Sequence, residues 1–157
     1  MTCLSICTMG ISANTALRSL PFGIAFSEEQ EIMQEVTQTA STIEVINQFS
    51  DAFNRHDVQA VMALMTEDCV FENTYPPPDG ERFEGQEAVR HFWEEFFLSS
   101  PDAVFQSEEM IAHEDRYVTR WKYYWTNTDG SSGHVRGVDV FRVRNGKVAE
   151  KLAYVKG

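Results

Sequence analysis

The chain has 157 residues, of which 43% are hydrophobic and 12% aromatic, a composition typical of one globular domain with a single core. Its formal net charge is −11, which argues against a nucleic-acid partner, because phosphate backbones are bound by clustered Lys and Arg side chains. No stretch approaches the roughly 18 apolar residues that a membrane-spanning helix needs, so the sequence also predicts no membrane partner.

The N-terminal 27 residues differ in composition from the rest of the chain. They contain no acidic residue and one basic residue, Arg18, whereas Glu and Gln become frequent from Glu28 onward. The segment lacks the basic start and continuous apolar run of a signal peptide. We therefore expect residues 1–27 to form a poorly ordered extension.

The cysteines predict free thiols. Cys3, Cys7 and Cys69 provide no disulfide framework, and no second Cys or His pair completes a zinc-binding pattern. Free thiols and the absence of a clear signal peptide favour a cytoplasmic location. The sequence matches no metal-ligand set or phosphate-binding loop, so we expect neither a metal site nor a cofactor.

Two capping-box patterns predict helix starts in the first third of the chain. Residues 27–30 (SEEQ) open an additional N-terminal helix over 28–41, and residues 41–44 (STIE) open a helix over 42–54. Asp57 is then expected to cap a short helix that ends near Thr66.

The middle of the chain predicts a strand, a loop and a third major helix. Residues 69–73 are predicted to form the strand. The Pro-rich run 75–80 can continue neither a helix nor a central strand, so it is predicted to be the loop. The next helix starts at Gln86 and stops before Pro101. Its apolar residues recur at i, i+3, i+4, i+7 and i+8, namely Val89, Phe92, Trp93, Phe96 and Phe97.

The last third predicts four strands, over 104–112, 117–127, 134–144 and 147–155. Asn145-Gly146 predicts a two-residue type I′ turn between the last two strands, because that turn needs positive φ at both positions. The whole order predicts an α+β fold with helices packed on one face of a curved, mostly antiparallel sheet.

Asp139 is the most informative single residue. Alternation along its strand places it on the same face as Gly137, Phe141 and Val143, the face that a sheet normally buries. A buried carboxylate must be paired, protonated or open to a wet pocket. Two interpretations stay open: a structural group bonded to Tyr or Trp side chains or to Arg120, or a functional group in a pocket.

The order of elements and four motifs resemble the SnoaL-like branch of the nuclear transport factor two-like superfamily. The motifs are FNRHD at 53–57, EDCVFE at 67–72, FEGQEAV at 83–89 and GVDVFRVRNGKV at 137–148. The resemblance assigns residues 42–157 to this domain. It implies a cone-shaped α+β barrel with an internal apolar pocket, a small hydrophobic ligand and a homodimer formed across the outer sheet face.

The resemblance does not imply one reaction, because this superfamily includes isomerases, cyclases, hydrolases and non-catalytic proteins. Ketosteroid isomerase uses a carboxylate base, a tyrosine and a protonated aspartic acid. In this sequence those positions fall at Asn73, Phe49 and Asp139, so one of the three matches. Epoxide hydrolysis of the limonene type needs Arg-x-Asp, which residues 120–122 (RWK) lack. Both mechanisms are disfavoured.

The polyketide cyclase relatives are the remaining template, with Asp139 as acid, base or polar anchor. The sequence thus predicts a protein that binds a small hydrophobic molecule, with isomerase, cyclase or dehydratase chemistry by cofactor-independent proton transfer. The alternative is a non-catalytic dimerisation or interaction module with a vestigial pocket. On strand 117–127 one face carries Tyr117, Thr119, Trp121, Tyr123 and Trp125. For these residues, packing in the core or at an interface is the alternative to ligand contact. The expected ligand-binding residues are Phe49, Asn73, Tyr117, Tyr123, Trp125, Phe92 and Phe96.

Overall fold

The structure is a computed structural model that describes residues 22–126 and 129–156, with side chains described from residue 27. Over these residues the chain forms three helices and six strands, so the predicted α+β class is confirmed. The elements are α1 Phe22–Asn54, α2 Val58–Ala63, β1 Met65–Glu72, β2 Arg82–Glu84, α3 Gly85–Ser99, β3 Val104–His113, β4 Arg116–Thr126, β5 Ser132–Arg144 and β6 Lys147–Val155.

Helix α1 is continuous over 33 residues, so the predicted division into helices over 28–41 and 42–54 is wrong. No Gly or Pro interrupts the sequence between its two capping-box patterns. Two threonines in or near these patterns donate to carbonyl oxygens: Thr37 to Met33 at 2.8 Å, and Thr42 to Glu114 at 2.6 Å. Hydroxyls that bond in this way are compatible with a helix interior.

The predicted N-terminal extension overlaps the start of this helix. Residues 22–27 are helical, and residues 1–21, including Cys3 and Cys7, lie outside the described residues. The predicted start of the domain at residue 42 stays a prediction. None of the helices in the described ranges is long and apolar enough to cross a membrane.

The sheet has the strand order β2-β1-β6-β5-β4-β3 and is open, with β2 and β3 at its edges. Strands β1 and β6 pair in parallel, and the other neighbours pair antiparallel, so the mostly antiparallel sheet is confirmed. The three-residue strand β2 was not predicted; it pairs with the end of β1. Strand β1 begins at Met65, four residues earlier than expected, because α2 already ends at Ala63.

The β5–β6 hairpin determines which side chains face the helices. Asn145 and Gly146 have φ angles of 53° and 71°, as the predicted type I′ turn requires. Val143 pairs with Val148, but the next pair is Arg142 with Glu150, so Ala149 is an extra residue in β6. Because of this β-bulge, the residues of β6 after Ala149 lie on the opposite face of the sheet from the one that they would occupy in a regular hairpin.

The three helices pack on one face of the sheet and bury a largely aromatic core. Helix α2 starts as predicted, with the Asp57 carboxylate accepting a hydrogen bond from the Ala60 amide at 3.0 Å. Helix α3 buries the predicted apolar face through Val89, Trp93 and Phe97. Their packing positions the remaining aromatic side chains of α3 toward the space between helices and sheet.

Candidate functional site

A cavity of about 850 Å³ lies between α1, α3 and the inner face of the sheet. Its volume is within the range of roughly 300–1,000 Å³ typical of small-molecule sites. Twelve of the 26 residues that line it are aromatic, and they come from both helices and four strands. All of the sequence-predicted site residues line it: Asp139, Phe49, Asn73, Tyr117, Tyr123, Trp125, Phe92 and Phe96.

Asp139 is buried in this cavity wall, with 4% of its surface exposed, as the alternation in β5 predicts. Its Oδ2 atom lies 2.7 Å from the Nζ atom of Lys151, whose side chain is 9% exposed. Arg120 is not its partner, because that guanidinium pairs with Glu108 and Glu109 at 3.5 and 3.0 Å. The interpretation of Asp139 as a partner of Arg120 is therefore wrong.

Lys151 is one of the site residues that the sequence patterns did not predict, as are Trp93 and Trp121. In the sheet Lys151 lies opposite Phe141 of β5 and Phe71 of β1, and its side chain lines the cavity. Its Nζ atom lies 5.2, 5.8 and 5.6 Å from the ring centroids of Phe71, Trp93 and Phe141. Ring faces at such distances attract a cation and offset part of its desolvation.

Three buried polar atoms of the cavity wall have no hydrogen-bond partner within the described part of the chain: Asp139 Oδ1, Trp93 Nε1 and Trp121 Nε1. The carboxylate oxygen is an acceptor, and the two indole nitrogens are donors. Buried polar groups are usually satisfied, so each such atom calls for an explanation.

Tyr117 and Tyr123, two of the expected ligand-binding residues on β4, line the cavity and contact residues other than Asp139. The Tyr117 hydroxyl donates to the Met110 sulfur at 3.3 Å, and burial raises the pKa of Tyr117, so the phenol stays protonated. The Tyr123 ring stacks on Phe105 with centroids 4.7 Å apart. Thr119, directly opposite Asp139, donates to the Glu109 carbonyl at 3.3 Å. These residues shape the cavity around the ion pair.

Asn73 and Phe49, which the resemblance aligns with the base and the tyrosine of the isomerase template, both line the cavity. Asn73 Oδ1 accepts from the Thr74 amide at 2.8 Å, so the side-chain nitrogen is the group that it can offer to the cavity. The neighbouring Glu72 pairs with Arg82 at 3.7 Å. Neither Asn73 nor Phe49 can act as a base or as a hydroxyl donor.

His56 and His91 make contacts outside the cavity. His56 bonds to the Ala103 carbonyl at 2.8 Å and stacks on Phe97, while His91 pairs with Glu95 at 3.4 Å. No group of three His, Cys, Asp or Glu side chains within residues 22–126 and 129–156 is arranged to hold a metal ion.

Residues 46–151 match the family model described as a SnoaL-like domain. An NTF2-like protein of unknown function from Mesorhizobium loti is 39% identical, and the match covers 76% of this chain and 94% of that one with a TM-score of 0.65. A search of curated proteins gives no match.

Two more distant solved structures show the shared fold alone. TerC, co-crystallized with polyporic acid, is 18% identical, with 74% of this chain and 92% of that one covered and a TM-score of 0.64. A candidate polyketide cyclase from Sinorhizobium meliloti is 21% identical, with 70% and 93% covered and a TM-score of 0.58.

Proposed function

The chain belongs to the SnoaL-like domain family, and from this we propose that its cavity binds a small, largely hydrophobic molecule that carries oxygen atoms. The observation that carries the proposal is the aromatic cavity of about 850 Å³ with three unpartnered polar atoms in its wall. Aromatic walls supply most of the binding free energy through apolar burial, and a few polar atoms fix the orientation. The co-crystal of TerC with polyporic acid supports small-molecule binding in this fold.

In this proposal each polar atom has a defined role. Asp139 Oδ1 accepts a hydrogen bond from a ligand hydroxyl, and the Trp93 and Trp121 indoles donate to ligand oxygens. Lys151 keeps the carboxylate in place through Oδ2. Asp139 is thus the polar anchor of the site.

Tryptophan fluorescence tests the binding directly, because all three tryptophans of the chain line the cavity. We expect saturable quenching when neutral hydroxynaphthoquinones and cyclic enones are titrated, with calorimetry as a second readout. Trp121→Phe should weaken binding of oxygenated ligands about 2–12-fold, because an aromatic ring remains at this position while the indole N–H donor is lost.

Tyr124→Phe is the matched control. Tyr124 is an exposed residue of β4 that does not line the cavity, and its hydroxyl donates to Gln106. The affinity of this variant should equal that of the unaltered protein. A panel that produces no saturable quenching, together with native mass spectrometry that detects no retained ligand, would refute the proposal.

A second candidate function is proton transfer on the bound molecule. It is favoured by Asp139, a cavity-lining residue in which one carboxylate oxygen bonds to Lys151 and the other has no partner within the described residues. A positioned carboxylate of this kind can act as a general base on an enol or an α-carbon, as in isomerase, cyclase or dehydratase chemistry. Asp139→Asn should abolish turnover of enone or polyketide-like substrates and preserve ligand quenching; equal turnover by both proteins would remove this role.

The outer face of the sheet supports the further proposal of a homodimer. Val118, Val140 and Leu152 lie side by side across β4, β5 and β6, and Val138 lies beside the exposed Tyr154. A contiguous apolar patch on a sheet face is typical of an interface. Sedimentation should show a dimer that Val140→Glu dissociates; a monomer at all concentrations would refute this proposal.

A further inference from the structure

We propose that Lys151 is a nucleophile that condenses with an aldehyde or ketone held in the cavity to form an iminium. This inference rests on the proposed binding function and names the class of ligand. Lysine amines form such adducts when they are held close to a carbonyl in a desolvated site next to a group that exchanges protons.

Lys151 differs from the other three lysines of the chain in its surroundings. It is 7% exposed and lines the cavity, whereas Lys147 and Lys156 are exposed and Lys122 lies over the Tyr124 ring at 4.7 Å. Lys151 is therefore the lysine that a molecule bound in the cavity meets.

The hydrogen bond to Asp139 gives the ammonium a route to the reactive amine. Transfer of one proton across the 2.7 Å contact converts Nζ and Oδ2 into a neutral amine and a neutral carboxylic acid. The free electron pair of Nζ is then available to a carbonyl carbon.

The reaction balances with the groups present. Nζ attacks the carbonyl carbon, a C–N bond forms, and the C=O π pair moves to oxygen, which takes a proton from the nitrogen to give a carbinolamine. The Asp139 acid then protonates the hydroxyl, water leaves, and the nitrogen lone pair closes the C=N bond. The sum is a carbonyl plus an ammonium giving an iminium plus water, with the carboxylate restored.

The surroundings of Nζ suit the product as well as the starting ammonium. The iminium carries the same single positive charge at the same atom, so Asp139 and the faces of Phe71, Trp93 and Phe141 stabilise both states. The unpartnered Nε1 of Trp93, whose ring lies 5.8 Å from Nζ, can donate to the carbonyl oxygen. Such a donor stabilises the charge that develops on oxygen during attack.

Reductive trapping tests the proposal. The protein is incubated with 2-naphthaldehyde and sodium cyanoborohydride, which reduces an iminium to a stable secondary amine, and the labelled lysines are mapped by peptide mass spectrometry. We expect Lys151 to be labelled about 10-fold or more faster than Lys147 and Lys156, because binding raises the local carbonyl concentration. Asp139→Asn should slow labelling of Lys151 and leave that of Lys147 unchanged.

Two controls separate this inference from the binding proposal. Lys151→Arg keeps the charge and a partner for Asp139, and Lys147→Arg is the matched surface change. Lys151→Arg should abolish the fast adduct and Lys147→Arg should not, and both variants should retain the thermal unfolding transition. The alcohol 2-naphthalenemethanol reports binding by tryptophan quenching without any carbonyl. Quenching by the alcohol with no preference for Lys151 overturns the iminium and leaves binding intact, whereas neither quenching nor labelling overturns both.

Discussion

The buried ion pair makes a strong prediction about stability, tested by Lys151→Met. Both side chains are less than a tenth exposed, and Asp139 Oδ1 already lacks a partner within the described residues. Removing the ammonium would leave both carboxylate oxygens unsatisfied, and breaking a buried pair from one side costs about 3–5 kcal/mol. A chain of this length loses about 2–4 °C of Tm per kcal/mol, so we expect Tm to fall by roughly 6–20 °C.

Equilibrium unfolding in urea at neutral pH measures this loss, and two further variants identify its cause. Asp139→Asn should cost less than Lys151→Met, because an amide oxygen can still accept from Nζ. The double variant Lys151→Met/Asp139→Leu should recover most of the free energy of unfolding, since replacing a whole buried pair by apolar groups is often neutral or stabilising. A cost of less than about 1 kcal/mol for Lys151→Met, or a double variant no more stable than the single one, would contradict this role of the ion pair.

Three other changes have defined outcomes. Gly137→Ala would place a methyl group into the indole of Trp121 and a backbone carbonyl of β6, so it should cost about 1–3 kcal/mol in unfolding and weaken ligand quenching; unchanged values for both would contradict the packing. Burial raises the pKa of Cys69 to about 11, so in a variant without the other two cysteines iodoacetamide at pH 8 should react about 100-fold or more slowly than with an ordinary thiol. Because this pKa lies above the ordinary value of 9.0, the stability due to the neutral thiol is present below pH 9 and is lost as pH rises toward 11, a dependence that Cys69→Ala should remove. Asp57→Ala removes the acceptor of the Ala60 amide and should lower the free energy of unfolding by about 1 kcal/mol, whereas no change would show that the cap contributes nothing.

The sequence predicted the face of Asp139 but not its partner, and the reason is the bulge in β6. A regular hairpin closed by Asn145-Gly146 would place Lys151 opposite Val140, on the outer face of the sheet. The extra residue Ala149 instead places Lys151 opposite Phe141, on the same face as Asp139. A bulge of this kind has no reliable periodic signal, because it changes the register only locally and depends on tertiary packing.

Local patterns also misled the prediction of α1. The capping-box residues in 27–30 and 41–44 are compatible with a helix start, but the same residues are tolerated inside a helix when no Gly or Pro interrupts it. Contacts distant in sequence decide between the two outcomes, such as Thr42 with Glu114. In α3, by contrast, five apolar residues at helical spacing predicted the helix because one face of it is buried along its whole length.

The same contacts explain why the departures from the isomerase template fit together. The resemblance aligns Phe49 with a tyrosine of that template, and the Phe49 ring packs against Phe141 with centroids 5.7 Å apart. Phe141 in turn presents a ring face to Lys151. A phenylalanine at position 49 offers no hydroxyl to compete for Asp139, so the carboxylate pairs with a lysine held among aromatic rings. The chemistry to be sought in this cavity is therefore that of a buried lysine and a buried aspartate in direct contact.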